Sequence, residues 1–244
     1  MYATFDSYQT FTANRREGYS DIDMKILLKF PSRSRPDQLL DTFKKYITMA
    51  SNPARIHALI SLDIDDKTAT QDLFTKIKAI HADTDIRVGQ SKGKIGAVNR
   101  DMEHAGDYDI LLLASDDMIP RVQGYDAIIR AHMKQYYPDT DGVLWYNDGY
   151  QGKKLNTLCI LGNKYYQRFG YIYHPSYKSL YCDNEFMEVA NRLNLQTYID
   201  QVIIKHEHPA ATGANRDELY VQNQVFVSKD YQNFMDRRAK QFSD

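Results

Sequence analysis

Short apolar runs alternate with amphipathic segments along the first half of the chain. Mostly apolar runs at 24–30, 56–62, 86–88 and 110–114 predict four β-strands, because each is short and ends at polar or turn-forming residues. Between them, apolar side chains recur three and four positions apart, as at Leu39, Phe43 and Ile47, which predicts helices with one buried face. Strands that alternate with helices favour a parallel sheet with right-handed helical crossovers.

The run at 110–114 predicts a strand that is buried on both faces, as in a parallel sheet. Ser115, Asp116 and Asp117 follow it directly. Two adjacent carboxylates repel each other, and a bound cation is the usual way to relieve that repulsion. A simpler interpretation is that one of the two aspartates caps the next helix, which is predicted to begin near Arg121.

The other predicted strands also end in polar or charged side chains. They are Pro31, Ser32, Arg33 and Arg35 after the first run, Asp63 and Asp65 after the second, and Lys92, Lys94 and Asn99 after the third. Ligands of open α/β sheets bind at the carboxyl ends of the strands, and this mixture of charges suits a nucleotide with a metal at its phosphates. The segment 89–100 lacks the spacing of a P-loop, which argues against an ATPase-type site.

The second half of the chain has a less regular pattern. It predicts helices at 122–136, 163–169 and 181–193, strands at 142–145, 155–161 and 198–204, and a charged, mostly helical segment at 216–243. Asp183 falls near the start of a predicted helix, where it could simply be a cap. His206 and His208 follow the last predicted strand and are candidate metal ligands, although one such pair supplies too few ligands alone.

Composition narrows the function classes. The chain has 244 residues, a formal net charge of −1 and two cysteines. This charge favours neither nucleic acid nor membrane as a partner, and there is no apolar run of the length that a transmembrane helix needs. We therefore expect one domain over 1–244, in the cytoplasm, with residues 1–22 as an N-terminal extension. The oligomeric state is not encoded in any motif.

The order of these features over 24–210 resembles the family 2 glycosyltransferases, which have the GT-A fold. The resemblance implies an α/β fold with a Rossmann-like, mostly parallel sheet flanked by helices. It further implies a nucleotide-binding half at 24–120, a mixed acceptor and catalytic half at 121–210, and C-terminal helices at 211–244.

The resemblance also implies roles for individual residues. Loop 31–35 would hold the nucleotide. Asp63, Asp65 and Asp66 are the candidates for binding the base, with Asp63 favoured. Ser115–Asp117 resembles a variant of the DxD motif, in which Asp116 would contact the ribose and Asp117 the metal. The implied set is completed by Gly96, Asn99 and Arg100 in the segment before the key strand, Asp183 as general base with Glu185 as the alternative, His206 or His208 as a metal ligand, and Trp145, Tyr146 and Asp148 on the acceptor side. Packing into the core is an equal alternative for these aromatic side chains.

The implied reaction is transfer of a sugar, with inversion, from a nucleotide-diphosphate sugar to a hydroxyl acceptor such as a glycan. A UDP-sugar is favoured as donor, and Mn²⁺ or Mg²⁺ as the cofactor. Two other functions stay open. A non-catalytic nucleotide- or glycan-binding module would fit Ala114 and Cys182, which stand where the family has acidic residues. A nucleotidyltransferase is less favoured, because the segment after the first strand contains no glycine.

Overall fold

A computed structural model describes residues 23–90, 92–207 and 225–243. Its strands are β1 (Ile26–Ser32), β2 (Ile56–Asp63), β3 (Thr84–Gly89), β4 (Ile110–Leu113), β5 (Met118–Pro120), β6 (Val143–Tyr146), β7 (Ile160–Gly162), β8 (Gln196–Ile199) and β9 (Ile204–His206). Its α-helices are α1 (Pro36–Thr48), α2 (Gln71–Ile80), α3 (Gly93–Asn99), α4 (Tyr125–Tyr136), α5 (Asn163–Gln167), α6 (Cys182–Arg192) and α7 (Val227–Ala239).

Seven of these strands form one sheet in the order β3-β2-β1-β4-β7-β6-β8. The pairs β3–β2, β2–β1, β1–β4 and β6–β8 are parallel, and β7 runs antiparallel to both β4 and β6. The predicted α/β class is confirmed, including the parallel first half and the mixed second half. Strands β5 and β9 form a separate antiparallel pair.

Helices cover both faces of the sheet, which explains why β4 is buried at all four positions. Alternate residues of β1 belong to different cores, since side chains of a strand point to opposite faces. Ile26 and Leu28 pack in the core that includes Phe43 of α1, whereas Leu27 packs in the core that includes Ile95 of α3. The site described below therefore lies at the edge of a sheet that is covered on both faces.

Three predicted segments differ from the structure. The predicted strand 198–204 is wrong as a single element, because 196–199 pairs with β6 whereas 204–206 pairs with β5 in the other sheet. Helix α4 begins at Tyr125 rather than near Arg121, because Gly124 has a left-handed conformation with a φ of 76°, which cannot continue a right-handed helix. Of the strand predicted at 155–161, only the end is formed, as part of β7 (Ile160–Gly162). Apolar pattern cannot locate the breaks in the strands, because they depend on which strand supplies the partner.

Some sequence predictions fall outside the described residues. These are the extension at 1–22, His208, and the part of the predicted helical segment that precedes Val225. Within the described part of that segment, α7 confirms a helix. None of the helices among the described residues is both long and apolar enough to cross a membrane.

Candidate active site

The short β5–β9 pair brings Asp117 and His206 together. Met118 pairs with His206 across the two strands, and the Glu207 amide donates a 2.7 Å hydrogen bond to the Asp117 carbonyl. As a result, Oδ2 of Asp117 lies 3.5 Å from Nε2 of His206. Residues 89 positions apart in the chain thus meet where β4 ends.

Opposite charges dominate this pair. Burial opposes ionisation of Asp117, but His206, the Ser115 hydroxyl and the charge of Lys94 together hold the pKa of its carboxyl well below the usual range. Burial likewise opposes the charge of His206, yet the carboxylates of Asp117 and Asp148 raise its pKa to about 9. At neutral pH and without metal, an imidazolium therefore supplies the positive charge that the carboxylates require.

The donor set of this pair fits a divalent cation that shares its shell with a substrate. No group of three or more His, Cys, Asp or Glu side chains suited to a metal occurs among the described residues. Two ligands of one octahedral ion, each about 2.1 Å from it, lie about 3 Å apart, close to the spacing of Asp117 and His206. Mg²⁺ in particular is usually bound by one or two carboxylates plus phosphate oxygens and water.

A second cluster of charges lies at the ends of β1 and β2. Asp63 is 4% exposed, and its two oxygens contact Arg33 at 2.8 Å and Arg100 at 2.6 Å. Arg33 also binds Asp65 through two hydrogen bonds of 2.6 and 2.9 Å. The predicted base-binding aspartates are therefore brought together, but each is already paired with arginine, which the sequence pattern did not indicate.

The loop after β1 connects this cluster to the turn after β4. Arg35 forms an ion pair of 3.1 Å with Asp116, and the Thr42 hydroxyl donates a 3.0 Å hydrogen bond to the Asp116 carbonyl. Pro31 and Ser32 belong to β1 itself and are half-buried. Asp116 and Asp117 consequently face different partners, Arg35 and His206 respectively.

Asn99 serves the protein backbone. Its Nδ2 donates a 2.6 Å hydrogen bond to the Tyr173 carbonyl, and its Oδ1 accepts from the amides of Ile172 and Tyr173 at 2.9 and 3.1 Å. Both ends of the amide are thus used to hold the segment that precedes α6. This leaves Lys94, at the other end of α3, as the member of the segment 89–100 whose charge acts on Asp117.

Asp183 is the second residue of α6 and shares these surroundings. Its carboxylate accepts a 3.0 Å hydrogen bond from the Asn184 amide. Burial raises the pKa of Asp183, against the opposing charges of Lys94 and His206. A carboxylate with a raised pKa is a stronger base than an exposed one, which suits proton abstraction.

Glu185 has a different environment. Its carboxylate is 4% exposed and accepts hydrogen bonds from the Tyr177 hydroxyl at 2.7 Å and from two nitrogens of Arg237 at 2.8 and 2.9 Å. These contacts tie α6 to α7. The structure thus gives Glu185 a role in packing, and only Asp183 is retained as the candidate base.

The residues expected on the acceptor side are buried. Trp145 is 7% exposed and meets Tyr198 edge to face at 5.0 Å, while Tyr146 is 1% exposed and bonded through its hydroxyl to His132 at 2.8 Å. Both aromatic side chains therefore follow the alternative stated above, in which they pack into the core. Asp148 is also buried, and its Oδ2 lies 3.5 Å from Nδ1 of His206. Sequence reasoning missed this contact, because the two residues are joined only through the fold.

Comparisons with known proteins agree on the fold. No family profile and no curated protein sequence matches the chain. Among solved structures, mannosyltransferase PcManGT from Pyrobaculum calidifontis, in complex with GDP-Man and Mn²⁺, matches over 84% of this chain and 70% of its own, with a TM-score of 0.59 and 10% identity. TarS of S. aureus matches over 88% of this chain but 43% of its own, with a TM-score of 0.59 and 12% identity.

A shorter form of TarS, residues 1–349 in complex with UDP, matches over 88% of this chain and 71% of its own, with a TM-score of 0.58 and 12% identity. Structural matches at such low sequence identity show that the architecture is shared. The chemistry has to be argued from the residues of this chain. The chain therefore has the GT-A type of α/β fold that is found in nucleotide-sugar glycosyltransferases.

Proposed function

We propose that this protein is an inverting, metal-dependent glycosyltransferase of the family 2 type. It would move a sugar from a nucleotide-diphosphate sugar, with a UDP-sugar favoured, to a hydroxyl of a glycan acceptor. The observation that carries the proposal is the approach of Asp117 to His206 at the carboxyl edge of a GT-A-type sheet, where the charge of Lys94 acts on both Asp117 and Asp183.

The metal would be held by Asp117 and His206. When bound, Mn²⁺ or Mg²⁺ supplies charge neutralisation for the diphosphate leaving group. The imidazole ligand favours Mn²⁺, since Mg²⁺ prefers oxygen ligands alone. Lys94 adds a second positive charge beside Asp117. Together these groups would stabilise the negative charge that develops as the glycosidic bond breaks.

Asp183 would accept the proton of the acceptor hydroxyl. A positioned carboxylate base contributes roughly 10²–10⁴-fold to such a step. The charges of Lys94 and His206 oppose the effect of burial on the pKa of Asp183 and so favour its ionised form. In this proposal the roles are separate: Asp117 would hold the donor end through the metal, and Asp183 would serve the acceptor.

The nucleotide would lie along the ends of β1, β2 and β4. Arg33, Asp63 and Asp65 form the cluster proposed to bind the base, in which Asp65 has the most exposed side chain, at 57%. Ser115 and Asp116 would contact the ribose. Arg35 connects these two parts through its ion pair with Asp116.

A panel of nucleotide sugars, with and without Mn²⁺, would test this function through release of nucleoside diphosphate. Metal-dependent release from one donor is the expected result, and it would identify the sugar. Nucleotide binding without release from any donor would favour the alternative, a non-catalytic binding module. Cys182, which stands in the position of a family acid, is buried and its thiol pKa is raised by burial, so it does not replace that acid as a charge. Absence of nucleotide binding would overturn both proposals.

A further inference from the structure

The carboxylate of Asp148 is fixed from several directions. It follows β6 in the sequence and is 2% exposed. Its Oδ1 accepts hydrogen bonds from the amides of Tyr150, Gln151 and Gly152 at 2.9, 2.7 and 3.0 Å. Its Oδ2 accepts a 2.6 Å hydrogen bond from the Thr157 hydroxyl. A buried carboxylate with this many donors has one orientation and little freedom to leave it.

This fixed carboxylate faces the imidazole of His206. Oδ2 of Asp148 lies 3.5 Å from Nδ1, while Nε2 lies 3.5 Å from Asp117 on the other side of the ring. The backbones are joined as well, because the His206 amide donates a 2.8 Å hydrogen bond to the Asp148 carbonyl. Each ring nitrogen therefore lies 3.5 Å from an oxygen of a different carboxylate.

We propose that Asp148 is a positioning residue that holds a proton on Nδ1 of His206 and so directs the lone pair of Nε2 toward the metal. The inference rests on the proposed function, since it assumes that Asp117 and His206 hold a cation. An ionised carboxylate has no proton to donate and can act only as a hydrogen-bond acceptor. The nitrogen that faces it, Nδ1, must therefore be the protonated one. Ligating histidines commonly have such a carboxylate partner, which fixes the tautomer and the ring orientation.

Asp148 is placed to act through the ring and not as a ligand. Its Oδ1 already accepts three amide hydrogen bonds, and its Oδ2 lies on the Nδ1 side of His206, whereas Asp117 lies on the Nε2 side. The contact also accounts for a buried aspartate in a turn where Asn or Ser would satisfy the same amides.

The variant Asp148→Asn isolates this role. The asparagine Oδ1 can still accept the three amides, so the turn is kept. The new Nδ2 donates, which makes Nδ1 of His206 an acceptor and moves the ring proton to Nε2. We expect Mn²⁺ to bind 10- to 100-fold more weakly in the presence of UDP, measured by electron paramagnetic resonance. We also expect the ¹⁴N coupling from a histidine ligand, present in the spin-echo modulation of the wild type, to disappear.

Two controls separate positioning from folding. Thr157→Val removes the other hydrogen bond to the same oxygen and should leave Mn²⁺ affinity within about threefold, because Nδ1 keeps its acceptor. In a His206→Ala background, Asp148→Asn should weaken Mn²⁺ binding no further, because a residue that acts through the ring has no effect once the ring is gone. Thermal unfolding of each variant reports whether the turn has survived.

The possible outcomes distinguish the inference from the function on which it rests. Wild-type Mn²⁺ affinity and an unchanged ¹⁴N signal in Asp148→Asn would overturn the role of Asp148 while leaving the metal site in place. An equal loss in Thr157→Val, or an additive loss in the double variant, would show that Asp148 acts on structure alone. A wild type with nucleotide-dependent Mn²⁺ binding but no ¹⁴N coupling would remove His206 as a ligand, and with it this inference. Failure of the wild type to bind Mn²⁺ with UDP would overturn the proposed metal dependence itself.

Discussion

Two aspartates of one cluster have pKa values that are shifted in opposite directions. Burial acts on both, but Asp117 has side-chain hydrogen bonds from His206 and Ser115 against it, whereas Asp183 has only backbone hydrogen bonds and the charges of Lys94 and His206 among the causes that lower its pKa. Environments that separate the pKa values of two carboxyls commonly separate their roles. At the residue scale, this is why Asp117 is assigned to the metal and Asp183 to the proton.

Replacing Asp117 by asparagine should abolish Mn²⁺-dependent binding of the donor. The change removes the negative charge that faces His206 and the proposed cation while keeping the size of the side chain. Calorimetric titration of UDP in the presence and absence of Mn²⁺ measures the effect. Asp139→Asn, which alters an exposed aspartate that pairs with Lys164, is the control and should titrate like the wild type. Unchanged metal dependence in Asp117→Asn would exclude this residue as the ligand.

Replacing Asp183 by asparagine should lower kcat roughly 10²–10⁴-fold and leave donor affinity unchanged, because a base is needed only for transfer. The pH profile gives a second measurement. Since burial raises the pKa of Asp183, the rate of the wild type should fall with decreasing pH at a higher pH than an ordinary carboxyl would give. This acid limb should be missing from the residual activity of the variant. A variant with wild-type kcat would place the base elsewhere.

At the scale of elements, α7 holds the segment that presents Asp183. Asp230 is 1% exposed and accepts hydrogen bonds from the amides of residues 178, 179 and 180 at 3.0, 2.8 and 2.9 Å. Tyr181, the next residue, has a φ of 61° and stacks on Phe234 with ring centroids 5.9 Å apart. A left-handed conformation is unfavourable for tyrosine, so the contacts with α7 must maintain it. One turn later, Arg237 binds Glu185.

Asp230→Ala should destabilise the protein by about 3 kcal/mol, because it leaves buried amides without an acceptor. Chemical denaturation measures this free energy of unfolding. The matched variant Asp230→Asn keeps an acceptor oxygen and should lose less than half as much. In both variants kcat should fall more than donor affinity, since the disturbed segment leads to Asp183 and not to the nucleotide side. Equal stability of Asp230→Ala and the wild type would contradict the anchoring role.

At the scale of the whole molecule, buried charges connect the site to the centre of the sheet. Lys29 of β1 is 0% exposed and donates hydrogen bonds to the Ser61 hydroxyl and, at 2.8 Å, to the Arg100 carbonyl. Burial lowers its pKa to about 8, partly offset by the nearby charge of Asp101. Arg100 in turn binds Asp63, so the ammonium lies beneath the cluster that is proposed to bind the base.

Stability should depend on pH through this lysine. Its pKa is lower in the folded state than in the unfolded state, so between pH 8 and pH 10 the unfolded chain binds more protons and stability rises with pH. His206, with its raised pKa, contributes the opposite trend over part of this range, so the wild type alone is uninformative. The comparison with Lys29→Met cancels such contributions. From pH 8 to 9.5 the wild type should gain about 1.5 kcal/mol relative to the variant, measured by urea denaturation. A constant difference would show that Lys29 titrates normally.

Sequence alone determined the α/β class, the strands of the parallel half and the positions of the charged strand ends, because these depend on local periodicity and on the rule that parallel strands present their carboxyl ends at one edge. It also offered three pairs of candidates, namely Asp116 and Asp117, Asp183 and Glu185, and His206 and His208. Only the tertiary structure decided which of these residues lie together and what each of them contacts. The pairing of β5 with β9 brings His206, the last residue of β9, to Asp117. Asp148, which follows β6, lies on the other side of the His206 ring. Trp145 and Tyr146 proved to be buried, and the carboxylate of Glu185 proved to be paired with Arg237. These outcomes depend on partners that are distant in the chain, and no local pattern of residues specifies such a partner.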